Sequence, residues 1–393
     1  MWPRVAVVGG SLGGLFAALL LRDLGCQVDV YERSVAELES RGAGIVVLEA
    51  TSRYFRERTS LALDQLTTAT DWLRYLDQDG AVSYQAPLHY RYSAWHTIYR
   101  ALLGCLGEGA YHLGWPARGF RQHGDQVEVT FDDGATATCD LLVCADGIAS
   151  AARAELQPQA RQAYAGYVAW RGTVAEEDLS PRVRELLADS IVYQVMPYSH
   201  ILLYPIPALD GTVAPGHRLA NFVWYRNYAA GTELDDLMTD REGVRRDLTL
   251  PPGAARPEHL RALRDAASAQ LAPPLAEVVH RTERPFVQVI FDIEVERMAF
   301  GRVCLLGDAA FALRPHAAAG TAKAAADAWA LAEALEAARG DVTAALPRWE
   351  RQQLAVGHAV LARTRRNGDK SQFACTWHPG DPELVFGLYE PGR

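Results

Sequence analysis

The stretch Val7 to Leu15, "VVGGSLGGL", decides the fold. A dinucleotide-binding loop reads Gly-x-Gly-x-x-Gly. The first Gly makes the tight turn, the second lets backbone approach the pyrophosphate, and the third packs helix on strand. Those places hold Gly9, Ser11 and Gly14, so a serine stands where the backbone comes nearest to the phosphates. Before the loop lies a short apolar run, Arg4 to Val8; after it, Leu15 to Leu24 has helical composition and Gln27 to Tyr31, "QVDVY", alternates like a strand. Glu32 closes that strand about twenty positions past the loop, where an acidic residue grips a ribose hydroxyl. The context is a βαβ unit of about thirty residues, which a chance tight turn lacks. A helix opening near Leu12 would turn its N-terminal amides toward the negative charge.

The whole chain fits a soluble α/β enzyme. Its 393 residues suffice for two or three domains, and 49% hydrophobic with 22% charged residues is ordinary for a globular fold. With 39 basic and 48 acidic side chains the formal charge is −9, which argues against nucleic acid as a partner. The six cysteines show no C-x-x-C pair and no metal-ligand spacing with histidine; a reducing cytoplasm and no metal are expected. The apolar stretch Val5 to Leu24 is interrupted by glycines and lacks a basic leader, so neither a signal peptide nor a membrane span is expected there.

Further along, Gln126 to Phe131 alternates, turns at Asp133-Gly134, and leads through Ala135 to Cys139 into the buried run Leu141 to Cys144 and then "ADGIASAAR". Between about Tyr164 and Tyr225 come "YVAWRGTV", "SIVYQVM", "ILLYPIP" and "ANFVWY", strand-like segments that suggest an inserted, sheet-rich domain. Helical segments broken by Pro251-Pro252-Gly253 and Pro273-Pro274 follow. "RVCLLGDAA" is then a buried strand ending on Gly307-Asp308, and an Ala-rich helix runs from about Thr321 to Ala338. The expected division is residues 1–160 with 290–393 for the nucleotide domain, and 161–289 for a substrate domain of mixed sheet and helices.

Three loops at strand ends, "GGSLGG", "ADG" and "GDAA", exceed what a simple NAD dehydrogenase needs and suit the longer flavin adenine dinucleotide. Gly9-x-Ser11-x-x-Gly14 with Glu32, Asp146-Gly147 and Gly307-Asp308 resemble the FAD-dependent aromatic hydroxylases of the para-hydroxybenzoate hydroxylase fold. "GIVV", "GYVAWRG", "LLYPIP", "ELDDLMTD" and "RPHAAAGTAKAAADA" resemble one branch of that family, over nearly the whole chain, and that branch also has Ser at the second glycine place. The resemblance implies an FAD-binding Rossmann-like domain with an inserted sheet-rich substrate domain. It implies FAD held by Gly9, Gly10, Ser11, Leu12, Gly14, Glu32 with neighbouring Arg33, Arg41, Asp146, Gly147, Gly307, Asp308, Gly320, Thr321 and Ala322. Asp308 would meet a ribityl hydroxyl; Arg41 would meet a pyrophosphate or stand as a solvated charge. The family's usual Arg before a helical Leu, here Leu102, is replaced by Tyr99, which alters that contact.

By the same resemblance, Pro315-His316 lie at the substrate edge and Gly320 to Ala322 at the flavin's pyrimidine edge, where a helix N-terminus favours the anionic reduced flavin. His316 is the candidate catalytic residue beside Pro315: an imidazole of pKa near 6.5 can take or orient a ring-hydroxyl proton. The alternative is a His packed against Pro315. Tyr204, Tyr225 and Trp170 are candidate pocket walls, with sheet core as the alternative for each. Arg171 is a candidate anchor of the domain junction, and His89, His96 and His200 are weaker candidates.

The implied reaction hydroxylates a hydroxypyridine or phenol-like ring with O2. NAD(P)H (NADH or NADPH) reduces the flavin from a transient site, and a C4a-hydroperoxide delivers the hydroxyl. The resemblance further implies a homodimer acting on a small aromatic substrate. Two other readings remain at this point: a hydroxylase of a larger phenol or pyridone, and an FAD-binding protein without turnover. A flavin halogenase is disfavoured, because its W-x-W-x-I-P motif is missing.

Overall fold

The structure, a computed structural model, describes residues 1–38 and 44–393. The βαβ unit forms where the glycines place it. Arg4–Val8 pairs in parallel with Gln27–Glu32 on one side and Leu141–Cys144 on the other, and the helix Leu12–Asp23 makes the crossover. That helix is apolar nearly all round, with Leu15 to Leu19 fully buried, as a helix must be when elements cover it on several sides. It packs between the helices Trp95–Leu106 and Gly320–Ala337.

Val303–Leu305 adds in parallel to Leu141–Cys144, with Ala299–Phe300 and Tyr111–Leu113 at the edges of the six-stranded sheet. Three adjacent parallel strands therefore end side by side, each delivering one of the three loops. A crevice outside the carboxyl ends of parallel strands is where open α/β sheets bind ligands. The expected hairpin forms as part of a small separate sheet, Ala117–His123, Gln126–Phe131 and Thr136–Cys139, with Gly134 at φ +83° in its turn.

The second sheet has nine strands, in the order Thr249–Leu250, Phe286–Asp292, Ala163–Ala175, Leu219–Asn227, Ser199–Ile206, Ser190–Met196, Thr68–Leu76, Val82–Ala94 and Gly44–Val46. The division at residue 161 is thus corrected: three of these strands come from residues 44–94. The parallel pairing of Ser190–Met196 with Thr68–Leu76 ties them in. One face of the sheet packs on the helices Pro181–Leu187, Pro257–Gln270 and Pro273–Arg281. The other carries Tyr75, Tyr92, Tyr167, Tyr193, Tyr204 and Tyr225, and is partly covered by Trp377, Leu384 and Phe386 from the chain's end, which the expected division had placed with the nucleotide domain. The helix Val342–Gln372, 31 residues long, runs from the first sheet's layer to the second's.

Candidate active site

The glycine loop is shaped by contacts that leave no room for side chains. Gly9 has φ +103°, and a Cβ there would lie 2.3 Å from the Ala145 carbonyl oxygen; a Cβ on Gly14 would lie 1.9 Å from the Gly9 carbonyl oxygen. Ser11 is the N-cap residue of Leu12–Asp23, yet its side chain makes no capping hydrogen bond. The hydroxyl and the first-turn amides are therefore left for an anion. Glu32, expected at a ribose, also braces the loop: its carboxylate accepts from the amides of Gly10 (2.8 Å) and Ser34 (2.9 Å). Behind the loop, Tyr111 donates to the Gly10 carbonyl (3.0 Å) and meets the Tyr99 hydroxyl (3.1 Å). The residue at the altered Arg position thus supports the loop from the rear. Arg33 is exposed at the strand's end; Arg41 lies outside the described residues.

The other two loops are joined. Asp146 caps the helix Ala151–Leu156 through one oxygen (Ala151 amide, 2.9 Å), while its second oxygen is buried without a partner. Gly147 takes φ +78°. Arg153 reaches from that helix to the carbonyls of Ala309 (3.0 Å) and Ile148, tying the second loop to the third. Gly307 takes φ +62°, and its amide donates to Asp327 (3.0 Å). Asp327 in turn pairs with Lys323 at 2.7 Å, both almost wholly buried inside the Ala-rich helix. Burial pushes the Asp308 carboxyl up to about 6, against the pull of Lys323. It meets no hydrogen-bond donor among the described residues, as suits a group awaiting a hydroxyl.

The Ala-rich helix starts at Gly320 without a side-chain cap, two residues after Ala318, which sits in the left-handed region (φ +52°). A Cβ on Gly320 would meet nothing within 4 Å, so the end holding Gly320, Thr321 and the buried Ala322 opens on free space. An uncapped serine hydroxyl, an orphaned Asp146 oxygen, an unpaired Asp308 and two open helix N-termini fit an extended dinucleotide carrying a ring.

Beyond that helix start stands a box of buried rings. His316, the second residue of a short turn opened by Pro315, bonds through Nε2 to the Tyr167 hydroxyl at 2.6 Å. Its ring centroid is 4.9 Å from Tyr225 and 5.3 Å from His200, and His200 is 4.6 Å from Tyr225 and 4.5 Å from Trp377. His200 Nδ1 lies 2.6 Å from Ser371 Oγ. Arg314 fixes the turn from below through Asp292 (2.9 Å) and Asp369 (2.8 Å). A Cβ on Gly368 would lie 2.6 Å from the Tyr167 hydroxyl, so a glycine in the long helix allows this approach.

Burial lowers the His316 pKa well below its ordinary value, helped by His200 and Arg314, and lowers His200 to about 3. Against the expected imidazole titrating near 6.5, burial favours the neutral form of both rings.

Other expectations divide. Tyr225 joins His316. Tyr204 lies four residues along the strand from His200, and its hydroxyl is spent on the Gly44 carbonyl (2.9 Å), so it ties the edge strand Gly44–Val46 into its own sheet. Arg171 meets the same carbonyl (2.9 Å) and Gln288 (3.0 Å), both in strands of its own nine-stranded sheet, so its contacts brace that sheet. Trp170 is corrected outright: it packs into the cluster on the opposite face of the sheet, under the helices. His89 is exposed and paired with Asp71; His96 is buried in the helix Trp95–Leu106. Tyr167, Arg153, Ser371 and the Lys323–Asp327 pair were missed, although Lys and Asp four apart were visible in the sequence.

Comparison with known proteins agrees with this geometry. Residues 255–364 match a family model described as an FAD binding domain, and residues 164–292 one described as FAD binding domain-like. The chain is 38% identical to 2,6-dihydroxypyridine 3-monooxygenase of Paenarthrobacter nicotinovorans, over 98% of this chain and 96% of that one. It is 30% identical to salicylate hydroxylase of Pseudomonas putida, over 86% and 78%. The solved structure of 2,6-dihydroxypyridine-3-hydroxylase from Arthrobacter nicotinovorans superposes with a TM-score of 0.93 at 36% identity, covering 100% of this chain and 98% of that one. The chain belongs to the FAD-dependent aromatic hydroxylases, the flavoprotein monooxygenases of the para-hydroxybenzoate hydroxylase fold.

Proposed function

We propose that this enzyme hydroxylates a dihydroxypyridine, 2,6-dihydroxypyridine first among the candidates, at C3. The observation that carries the reading is the closed box of Tyr167, His200, Tyr225 and His316 beside an open helix N-terminus. Its hydroxyl and imidazole groups suit a small planar ring bearing oxygens. The 38% identity to 2,6-dihydroxypyridine 3-monooxygenase supports the choice of ring.

Bound FAD, reduced by NAD(P)H, supplies the activation of O2. The chain's own residues do the rest. Gly9, Gly10, Ser11, Leu12 and Gly14 would hold the pyrophosphate, Glu32 the ribose through its remaining lone pairs, and Asp308 a ribityl hydroxyl. The amides of Gly320, Thr321 and Ala322 would meet the ring edge where negative charge accumulates, worth about 0.3–2 kcal/mol per helix terminus. The ring box excludes water, which strengthens each polar contact inside it and shields a reactive oxygen species from hydrolysis.

The proposal sets the enzyme in the cytoplasm, which six free thiols support, and takes it as a homodimer, which light scattering on a sizing column checks. The functional test is NADH and NADPH oxidation in air with a panel of hydroxypyridines and hydroxybenzoates, peroxide being assayed alongside. Strong stimulation by 2,6-dihydroxypyridine with little peroxide supports the reading. Stimulation wholly lost to peroxide, or a greater response to a hydroxybenzoate, overturns it.

A further inference from the structure

Hydrogen-bond accounting in the ring box decides where the protons are. The buried Tyr167 hydroxyl meets His316 Nε2 at 2.6 Å, and Arg314 also hydrogen-bonds to it. On its other side lies Arg314, whose guanidinium carbon is 5.8 Å from the phenol ring centroid. A guanidinium has donors and no acceptor. The phenol proton therefore has one acceptor in reach, His316 Nε2, and a neutral imidazole that accepts at Nε2 carries its proton at Nδ1. The opposite assignment, Nε2–H donating to the phenol oxygen, would strand the tyrosine proton and leave Nδ1 an unpaired acceptor: two unpaired groups in place of one. His316 Nδ1 is itself buried with no partner. Such a group in a native site calls for a partner that the described residues do not supply, a water or a ligand atom.

The same accounting applies to His200. Its Nδ1 faces the Ser371 hydroxyl at 2.6 Å and the Gln372 amide nitrogen at 3.3 Å, and that nitrogen also donates to Ser371 Oγ at 2.9 Å. Exchanging the amide's O and N would strand two donors instead of one acceptor, so His200 Nδ1 accepts and its proton is on Nε2. No partner meets Nε2 among the described residues.

We propose that His316 is a hydrogen-bond donor to the substrate through Nδ1–H and that His200 is a second donor through Nε2–H. The pocket then selects a ring bearing two oxygen acceptors, taken up with one oxygen already deprotonated, and His316 removes no proton. Tyr167 is a positioning residue: it fixes the His316 tautomer. The charged and titratable groups facing His316 are Tyr167, His200 and Tyr225 from three strands and Arg314 from its own segment; Asp369 on the long helix acts only through Arg314. No carboxylate touches the imidazole among the described residues, so nothing in the box stabilises an imidazolium. The proposal rests on the hydroxypyridine reading for the identity of the ring, and on the chain alone for the protons.

The first test uses the holoenzyme labelled with 15N-histidine, with His316→Asn to assign the resonances. Expected is a His316 ring protonated at Nδ1, bare at Nε2 and unchanged from pH 5.5 to 8.5; protonation at Nε2, or titration in that range, overturns the proposal. Tyr167→Phe is expected to mix the two tautomers and raise KM more than it lowers kcat; a tautomer left unchanged removes Tyr167's positioning role.

The second test is kinetic. His316→Asn, which keeps a donor and cannot act as a base, is expected to retain kcat within about tenfold. The acid limb of kcat/KM should stay in place with this variant and move with the hydroxyl pKa of a ring-fluorinated substrate. Removing a true general base costs about 10²–10⁴-fold; such a loss, with the acid limb abolished, overturns the proposal. Absence of turnover with any dihydroxypyridine would sink the functional reading while leaving the tautomer measurement intact.

Discussion

Replacing Lys323 by methionine tests how the flavin-side loop is held. Lys323 and Asp327 are 1% and 0% exposed, and their contact is 2.7 Å. Removing one partner of such a buried pair costs about 3–5 kcal/mol, because the other charge is left uncompensated. The cost depends on pH, and the sign follows from Asp327. Burial already raises its carboxyl, and Lys323 pulls it back. Without the lysine the folded-state pKa rises further above its unfolded value. The variant's deficit is therefore smallest at low pH, where Asp327 is protonated in both states, and grows as pH rises through the raised folded value.

Asp327 also holds the Gly307 amide at 3.0 Å, next to Asp308. If loosening that loop takes about 1.4 kcal/mol from FAD binding, affinity falls about tenfold. The assay is the thermal midpoint of the apoprotein at pH 6 and 8, with FAD affinity by fluorescence quenching. Lys323→Met/Asp327→Asn should regain most of the loss and flatten its pH dependence, since an amide oxygen still accepts from Gly307. A single-variant cost below about 1 kcal/mol at both pH values, the range of an exposed pair, with FAD affinity unchanged, would refute the reasoning.

Further outcomes follow from single contacts. Gly14→Ala sets a Cβ 1.9 Å from the Gly9 carbonyl oxygen; overpacking of about 1–3 kcal/mol corresponds to a roughly five- to 150-fold loss of FAD affinity, read as a colourless purified protein. In the apoprotein, the raised Asp308 carboxyl contributes stability that is full below about pH 4 and lost as pH rises through about 6. Asp308→Asn should therefore gain on the wild-type apoprotein in thermal midpoint from pH 4 to 7, and a constant difference would count against the desolvated carboxyl. Trp170→Phe should lower the thermal midpoint and leave KM within about twofold, since the ring lies behind the sheet; a tenfold change in KM would return Trp170 to the pocket.

What the sequence showed was local. The glycine loop with Glu32 is legible within one βαβ unit, and the hairpin at Asp133-Gly134 within a few positions, and each formed where it was read. The substrate sheet was half hidden. Thr68–Leu76 and Val82–Ala94 are partly exposed strands with mixed patterning and an internal Pro87, and the partner Ser190–Met196 lies more than a hundred residues away. Trp170 was misplaced for a related reason. Ala163–Ala175 is buried on both faces along its centre, so apolar alternation cannot say which parity meets the site. Tyr167, Ala169 and Arg171 face the site side, and Val168 and Trp170 the helices. His200 stood in the sequence as one histidine among several; only the register with Tyr225 brings it to His316. Lys323 and Asp327 resembled an exposed i,i+4 pair, because nothing in an alanine run reveals that residues 322–332 are all buried.

Most direct for the central claim is a single turnover experiment under 18O2 with 2,6-dihydroxypyridine and NADH, the product read by mass spectrometry. The account predicts one 18O atom in a ring-hydroxylated product for each NADH consumed, with peroxide a minor side product. Unlabelled pyridine recovered alongside peroxide equal to the NADH oxidised would contradict it.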